Sequence, residues 1–246
     1  MNTYNLILDL ALKQKGVFSF LIDPEKATQD SLKDIIPKAE QCGVDIFFIG
    51  GSTIAKLKFD STIELLRSLT KKPVIIFPGS PEQISKNADA ILFLSLISGR
   101  NPKHLIESQV SAAPYLKKIN IEVIPTAYIL IDGGIETTVQ RISETTPLDH
   151  KNIDLIVAHA LAAEYLGFKF VYLETGSGAK YSVPNEVIRA VANEVSIPII
   201  VGGGIKSAEV AKEKIQAGAK IIVAGNIFEN NFDLNFIKNF ADAIHS

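Results

Sequence analysis

The sequence predicts a closed (β/α)8 barrel of the TIM type, and three observations carry that prediction. Eight short apolar runs alternate with helical patterns along the chain, and near-continuous apolar strands separated by helices mean parallel strands covered on both faces. The length of 246 residues is close to the typical barrel of about 250, and the 47% apolar content can fill one large core. Near the carboxyl end, Ile199-Ile200-Val201 runs into Gly202-Gly203-Gly204, and Ile221-Ile222-Val223-Ala224 runs into Gly225-Asn226. Glycine lets backbone N–H groups approach an anion, the following helix adds its positive dipole end, and a phosphate site at the last two strand-to-helix loops belongs to this architecture. A doubly wound open sheet is the alternative. One domain over residues 1–246 is expected.

Taken in order, Met1 to Lys15 reads as an amphipathic helix preceding the barrel, with no basic region ahead of its apolar residues. Val17 to Asp23 is the first strand and Ala27 to Gln41 its helix, stopped at Gly43; Val44 to Gly50 is the second strand, with a helix from Thr53 to Leu69. Strands three to eight follow at Pro73 to Phe77, Ala90 to Leu96, Glu122 to Ile131, Lys169 to Glu174, Pro198 to Val201 and Lys220 to Ala224. Two connections break the pattern. Gly79 to Asp89 is too short for a covering helix and two loops, so the third helix should be reduced and the wall thin. Asp132 to Asn152 is long and polar, as an active-site lid or a disordered excursion would be. The helix from Asp154 to Leu166 is apolar on almost every face, which predicts a homo-oligomer through its second side; surface alanines are the plainer account.

Composition removes several classes of function. The formal charge is −2 with both signs interspersed, which gives no field for a nucleic-acid backbone. No apolar run approaches the roughly 18 residues of a membrane span, although transient contact with a membrane stays compatible. The single cysteine, Cys42, can form no internal disulfide, so a cytoplasmic, reducing location is expected. The four histidines have no metal-ligand spacing and read as structural or surface groups, and no Ser-His-Asp or Cys-His set can be assembled.

Carboxyl ends of barrel strands face the active site, so the strand ends name candidate residues. Asp23, before Pro24, is either a helix N-cap or a ligand; Ser52, after Gly50-Gly51, is either a cap or an oxygen ligand. One carboxylate and one hydroxyl make a poor metal cage by themselves, but they suit Mg2+, which keeps waters and takes other ligands from substrate phosphates. Alternation puts Tyr172 and Glu174 on one face at the barrel mouth, where a carboxylate is costly without a partner or a task. Thr175-Gly176-Ser177-Gly178 follows beside the cradle, and Arg100 in Ser98-Gly99-Arg100 is either a phosphate clamp or a solvated residue at a helix start. Gly204 and Gly225 are expected to tolerate no bulk, because phosphate must reach the backbone there.

Together these residues resemble the geranylgeranylglyceryl phosphate synthase family, which includes the bacterial heptaprenylglyceryl phosphate synthases. The likeness rests on Phe20-Leu21-Ile22-Asp23-Pro24-Glu25-Lys26, Gly50-Gly51-Ser52, Tyr172-Leu173-Glu174 with Gly176-Ser177-Gly178, Gly202-Gly203-Gly204-Ile205 and Ala224-Gly225-Asn226. It implies transfer of a polyprenyl group, geranylgeranyl foremost, from its diphosphate to the C3 hydroxyl of sn-glycerol 1-phosphate. By the same resemblance Asp23 and Ser52 would hold Mg2+, Tyr172 through Gly178 with Gly203, Gly204, Gly225 and Asn226 would hold glycerol phosphate, and the prenyl chain would lie where the third helix is missing. Glu174 is then the group expected to deprotonate the acceptor. A phosphometabolite sensor without turnover, and a phosphosugar isomerase or lyase, remain the other readings; a sensor would need the cradle but neither Asp23 nor Glu174.

Overall fold

A computed structural model describes residues 2–51, 56–225, 227 and 233–246; Ser52 and Asn226 lie outside them. The elements are α1 (Thr3–Lys13), β1 (Val17–Ile22), α2 (Gln29–Gln41), β2 (Ile46–Ile49), α3 (Lys56–Leu69), β3 (Val74–Ile76), β4 (Ala90–Leu96) and a π-helical turn (Lys103–Glu107) leading into α4 (Ser108–Ile119). They continue with β5 (Glu122–Leu130), α5 (Thr138–Ser143), α6 (Ile153–Tyr165), β6 (Phe170–Glu174), α7 (Asn185–Glu194), β7 (Ile199–Gly202), α8 (Ala208–Gln216), β8 (Ile221–Ala224) and α9 (Leu234–His245). The strands run β1 to β8 in sequence order and close on themselves. Closure is the parallel pairing of Val17 to Phe20 with Ile221 to Ala224, which removes the open-sheet alternative.

Alternation along each strand divides the core in two. Ile46, Phe48, Ile75, Tyr128, Tyr172 and Ile200 fill the barrel interior. Phe47, Ile49, Val74, Ile129, Val171 and Leu173 pack outward beneath the helices. Each such side chain, fully removed from water, stabilises by roughly 1.5–3 kcal/mol, which is why strands this short hold one register.

The amino-terminal end of the barrel is closed. Asn2 caps α1, and Glu122 at the start of β5 accepts from Thr3 N at 2.5 Å and Tyr4 N at 2.9 Å, placing a carboxylate on the positive end of the helix. Ile7 then packs into the interior cluster and the Tyr4 ring lies 5.3 Å from Phe170. The far end of the chain is tied to the same floor, where Asp45 Oδ2 accepts from Phe18 N and pairs with His245 Nε2, both at 2.8 Å. Only the carboxyl ends of the strands are left to form a site.

Residues 77–89 contain no helix, so the thin wall expected from the residue count is there. The segment is fixed by hydrogen bonds instead: Gln83 accepts from Gly79 N at 2.9 Å and donates to Gly51 O at 2.6 Å. The long stretch after β5 is ordered rather than an excursion. It pairs Ile131 with Leu148 and holds α5. Helix α6 buries Ile156, Ala160 and Ala163 against the barrel, while Tyr165 and Leu166 are 82% and 75% exposed. No helix among the described residues is long and apolar enough to cross a membrane.

Candidate active site

One cavity of about 450 Å3 occupies the carboxyl ends of the strands. Its polar lining comes from the loops after β6, β7, β8, β1 and β2: Ser177, Gly178, Gly203, Gly204, Gly225, Asp23, Lys26, Gly50 and Gly51 surround the opening, with Glu174 among them. Its apolar lining comes from the other side, through Phe77, Ile84, Leu94, Leu96, Ala112 and Ile142. The missing helix after β3 is what lets this second half extend outward from the barrel axis.

Glu174 ends β6 with only 5% of its surface exposed. Its Oε1 accepts from Gly176 N at 2.6 Å, and the Tyr172 hydroxyl donates to the same carboxylate. Burial opposes the charge and pushes the carboxyl up to about 7; the bonds from Gly176, Tyr172 and Thr175 pull the other way without cancelling it. Near neutrality the group is therefore poised between acid and base, as general acid–base work requires. Tyr172 sits beside it, its phenol held well above the ordinary range by burial first and then by the Glu174 charge.

The glycines of the cradle are required for distinct reasons. Gly203 has φ +79° and Gly204 has φ +65°, the left-handed region that favours glycine. A Cβ on Gly203 would overlap Glu174 Oε1 and lie 2.6 Å from Thr175 Oγ1, while one on Gly204 would lie 2.6 Å from Tyr181 O. Gly225 is constrained by a neighbour rather than by an anion: its Cβ would lie 2.6 Å from Leu21 O on β1. Bulk at 225 would thus also disturb the β1 side.

Asp23 is not the N-cap of α2. That role belongs to Thr28, which forms a reciprocal capping box with Ser31. Asp23 Oδ1 instead accepts from Glu25 N at 3.0 Å, and Oδ2 lies 4.0 Å from Lys26 Nζ, with 26% of the side chain exposed at the cavity edge. Among the described residues no three His, Cys, Asp or Glu side chains cluster around a common metal position; Ser52 and Asn226, the remaining members of the expected sets, fall outside those residues.

Several expected residues are not in the lining. Arg100 is exposed and folds onto its own turn, donating to Gly99 O at 2.7 Å and Ile97 O at 3.4 Å, so the structure does not bring it to the cavity. Leu173 points outward into the helix layer, as alternation from Glu174 demands. Thr175 and Gly176 stand behind the cradle, where Thr175 Oγ1 is buried with no hydrogen-bond partner among the described residues.

Other lining residues are not among the candidates that the strand ends name. Lys26 enters from the sequence only as part of a motif; Phe77 and Tyr128 carry the interior alternation of their strands to the cavity floor, which is the signal that locates them. His104, read from the sequence as structural or surface, lines the apolar half; its Nε2 is buried with no hydrogen-bond partner among the described residues, and burial, then the Lys103 charge, lowers its affinity for a proton. Gln109 lies beside it, donating to Leu94 O and His104 O.

Residues 11–244 match the PcrB family. A geranylgeranylglyceryl phosphate synthase of Flavobacterium johnsoniae is 49% identical over 92% of this chain and 93% of its own length, and that of Chitinophaga pinensis is 45% identical over 99% and 96%. Among solved structures, (S)-3-O-geranylgeranylglyceryl phosphate synthase from Thermoplasma acidophilum in complex with its substrate sn-glycerol-1-phosphate superposes with a TM-score of 0.94. It is 37% identical and covers 100% of this chain and 99% of that one. With the strand-end carboxylate, the paired glycine loops and the open wall after β3 all present in one barrel, the chain belongs to the PcrB family.

Proposed function

We propose that this protein is a prenyltransferase that moves a geranylgeranyl group from its diphosphate to the C3 hydroxyl of sn-glycerol 1-phosphate, releasing pyrophosphate. The observation that carries this reading is a single cavity joining a glycine cradle, a buried carboxyl at about 7 and an apolar groove. A binding protein would gain nothing from burying Glu174, whose charge is disfavoured there. The names of the relatives support the substrates, and the bound glycerol phosphate of the Thermoplasma structure supports the acceptor.

In this reading the acceptor phosphate rests on Gly203, Gly204 and the loop at Ser177 and Gly178. Its C3 hydroxyl faces Glu174. The hydrocarbon tail lies along Phe77, Leu94, Leu96 and Ala112, which exclude water from the reacting end. Lys26, at the polar edge, offers its ammonium group to the diphosphate. Glu174 orients the hydroxyl and receives its proton as the ether bond forms. An alcohol is too weak an acid to be ionised beforehand, but its acidity rises sharply once its oxygen bonds to an allylic cation, so a carboxylate suffices.

Asp23 is the described residue that would hold a divalent cation: one oxygen is held by Glu25 N, the other lies at the cavity edge 4.0 Å from Lys26 Nζ, and a hard ion such as Mg2+ would keep waters and complete its shell from diphosphate oxygens. Bound there, it would neutralise charge on the leaving pyrophosphate. Asp23→Asn keeps the bond from Glu25 N but loses the charge, so turnover should fall at least about tenfold and the Mg2+ curve shift to higher concentration, with the melting temperature nearly unchanged. Activity measured against Mg2+ in both proteins checks this, and an unshifted curve removes Asp23 from metal binding.

A homo-oligomer belongs to the same proposal, supported by the exposed Tyr165 and Leu166 at the end of α6, as does a cytoplasmic location, supported by the single free Cys42. The function itself is tested by mass spectrometry after incubation with glycerol 1-phosphate, Mg2+ and prenyl diphosphates of several lengths. An ether of the expected mass supports it; no ether with any donor overturns it.

A further inference from the structure

A buried side-chain amide is costly unless both its carbonyl and its NH2 find partners, yet Gln83 is only 1% exposed, in the helix-free segment after β3. Both needs are met. Its Oε1 accepts from Gly79 N at 2.9 Å and its Nε2 donates to Gly51 O at 2.6 Å. These partners fix which way the amide faces, because a backbone N–H only donates and a carbonyl only accepts. The first bond closes a local turn, in which Gln83 N also donates to Ser80 O at 3.1 Å. The second reaches 32 residues back along the chain, to the loop after β2.

That loop needs an outside tie. Gly50 and Gly51 have more backbone freedom than any other pair of residues, and Gly50 must be glycine because a Cβ there would overlap Phe77 O. Phe77 N donates to Ile49 O at 2.9 Å and Gly50 N to Ile22 O at 3.1 Å, so the ends of β1, β2 and β3 lean on one another, with Asp23 directly after Ile22. Gly50, Gly51, Asp23 and Lys26 line the polar edge of the cavity, whereas Pro81 and Ile84, on either side of Gln83, line it from the segment after β3. With no helix after β3 to brace this side of the mouth, one buried side chain joins the two.

We propose that Gln83 is a positioning residue of the prenyl diphosphate site, fixing the Gly50–Gly51 loop at the phosphate end to the segment that lines the groove for the hydrocarbon. This deepens the prenyl-transfer reading and rests on it. An allylic diphosphate occupies both ends of the link at once, its phosphates at the polar edge and its first isoprene units beside Pro81 and Ile84. Gln83 touches neither part and acts through Gly51 O. The loop holds the diphosphate alike before and during transfer, so loss of the link should appear in KM for the prenyl donor rather than in kcat. The acceptor, seated on the loops after β6 and β7, should not sense it.

The test uses the full chain with Mg2+, geranylgeranyl diphosphate and glycerol 1-phosphate. Gln83→Met fills a similar space and makes neither bond. Its KM for geranylgeranyl diphosphate should rise by about tenfold, the order expected when a buried carbonyl loses its partner. Its KM for glycerol 1-phosphate should stay within about twofold and kcat within about threefold. Gln83→Glu keeps an acceptor for Gly79 N but, once ionised, has no donor for Gly51 O, so the same selective rise is expected. Ser85→Ala is the control: Ser85 is buried in the same segment and accepts from Asn87 N at 3.4 Å, and its loss should lower the melting temperature without separating the two KM values. An unchanged KM for geranylgeranyl diphosphate in Gln83→Met overturns the proposal, and so does a rise shared equally by glycerol 1-phosphate. Failure of both Gln83 variants to fold also overturns it, because it assigns the amide to stability. A wild-type protein that makes no ether overturns the prenyl-transfer reading instead.

Discussion

Replacing Glu174 by Gln is expected to lower kcat by about 10² to 10⁴ while making the folded protein more resistant to heat at pH 8. The two effects have one cause. Burial lifts the carboxyl from its ordinary value of 4.5 to about 7, so folding favours the protonated form. The stability this gives is fully present below the unfolded value and is lost as pH rises from about 4.5 through 7. Above 7 the folded protein holds a buried charge against a penalty of about 3 kcal/mol. A neutral amide avoids that penalty and keeps an acceptor for Gly176 N, but it cannot take a proton. In the native protein kcat should rise with pH through about 7 and then level, and the Gln variant should lose that rise. Turnover against pH and melting temperature at pH 5 and pH 8 check both arms. A folded variant with wild-type kcat would remove Glu174 from catalysis, and a lower melting temperature at pH 8 would mean that the carboxylate stabilises the fold instead.

Gly203→Ala should be nearly as damaging, through geometry alone. The position has φ +79°, where an L side chain costs roughly 1–2 kcal/mol, and the new Cβ would overlap Glu174 Oε1 while lying 2.8 Å from Gly176 N. The bond between those two groups, 2.6 Å in the native protein, is thereby forced apart. A displacement of about 1 Å in a group that positions the acceptor can cost 10²-fold in rate. We therefore expect kcat lower by about 10² or more and a higher KM for glycerol 1-phosphate, with prenyl diphosphate binding retained. Gly167→Ala is the control, because it has φ +86° and open space around its Cβ, in the turn before β6 and away from the cavity. It should lose comparable stability and keep kcat. A Gly203 variant that behaves like the Gly167 variant would mean that the cradle and the carboxylate seat are not one unit.

Much of this protein was legible along the chain. Alternating apolar runs gave eight strands within one or two residues of their observed ends, and the short interval between Phe77 and Ala90 was enough to require a missing helix. Strand ends led to Asp23 and Glu174, and triple glycine led to the backbone that turns with positive φ. All of these depend on local rules: the two-residue period of a strand, the rise of a helix, the steric freedom of glycine. Other features emerged only on closure. Arg100 turns back onto Gly99 O, α2 is capped by Thr28 rather than Asp23, and α5 brings Val139 and Ile142 from a stretch with a weak local signal. Tyr128 joins Phe77 and Tyr172 from different strands because the register of β3 through β6 places them together. The sequence by itself determined the eight strands, the missing third helix and the strand-end groups Asp23 and Glu174 at the mouth of the barrel. Only the tertiary structure decided which of those groups meet and how readily Glu174 holds a proton, because convergence and desolvation are sums over contacts between residues far apart in the chain.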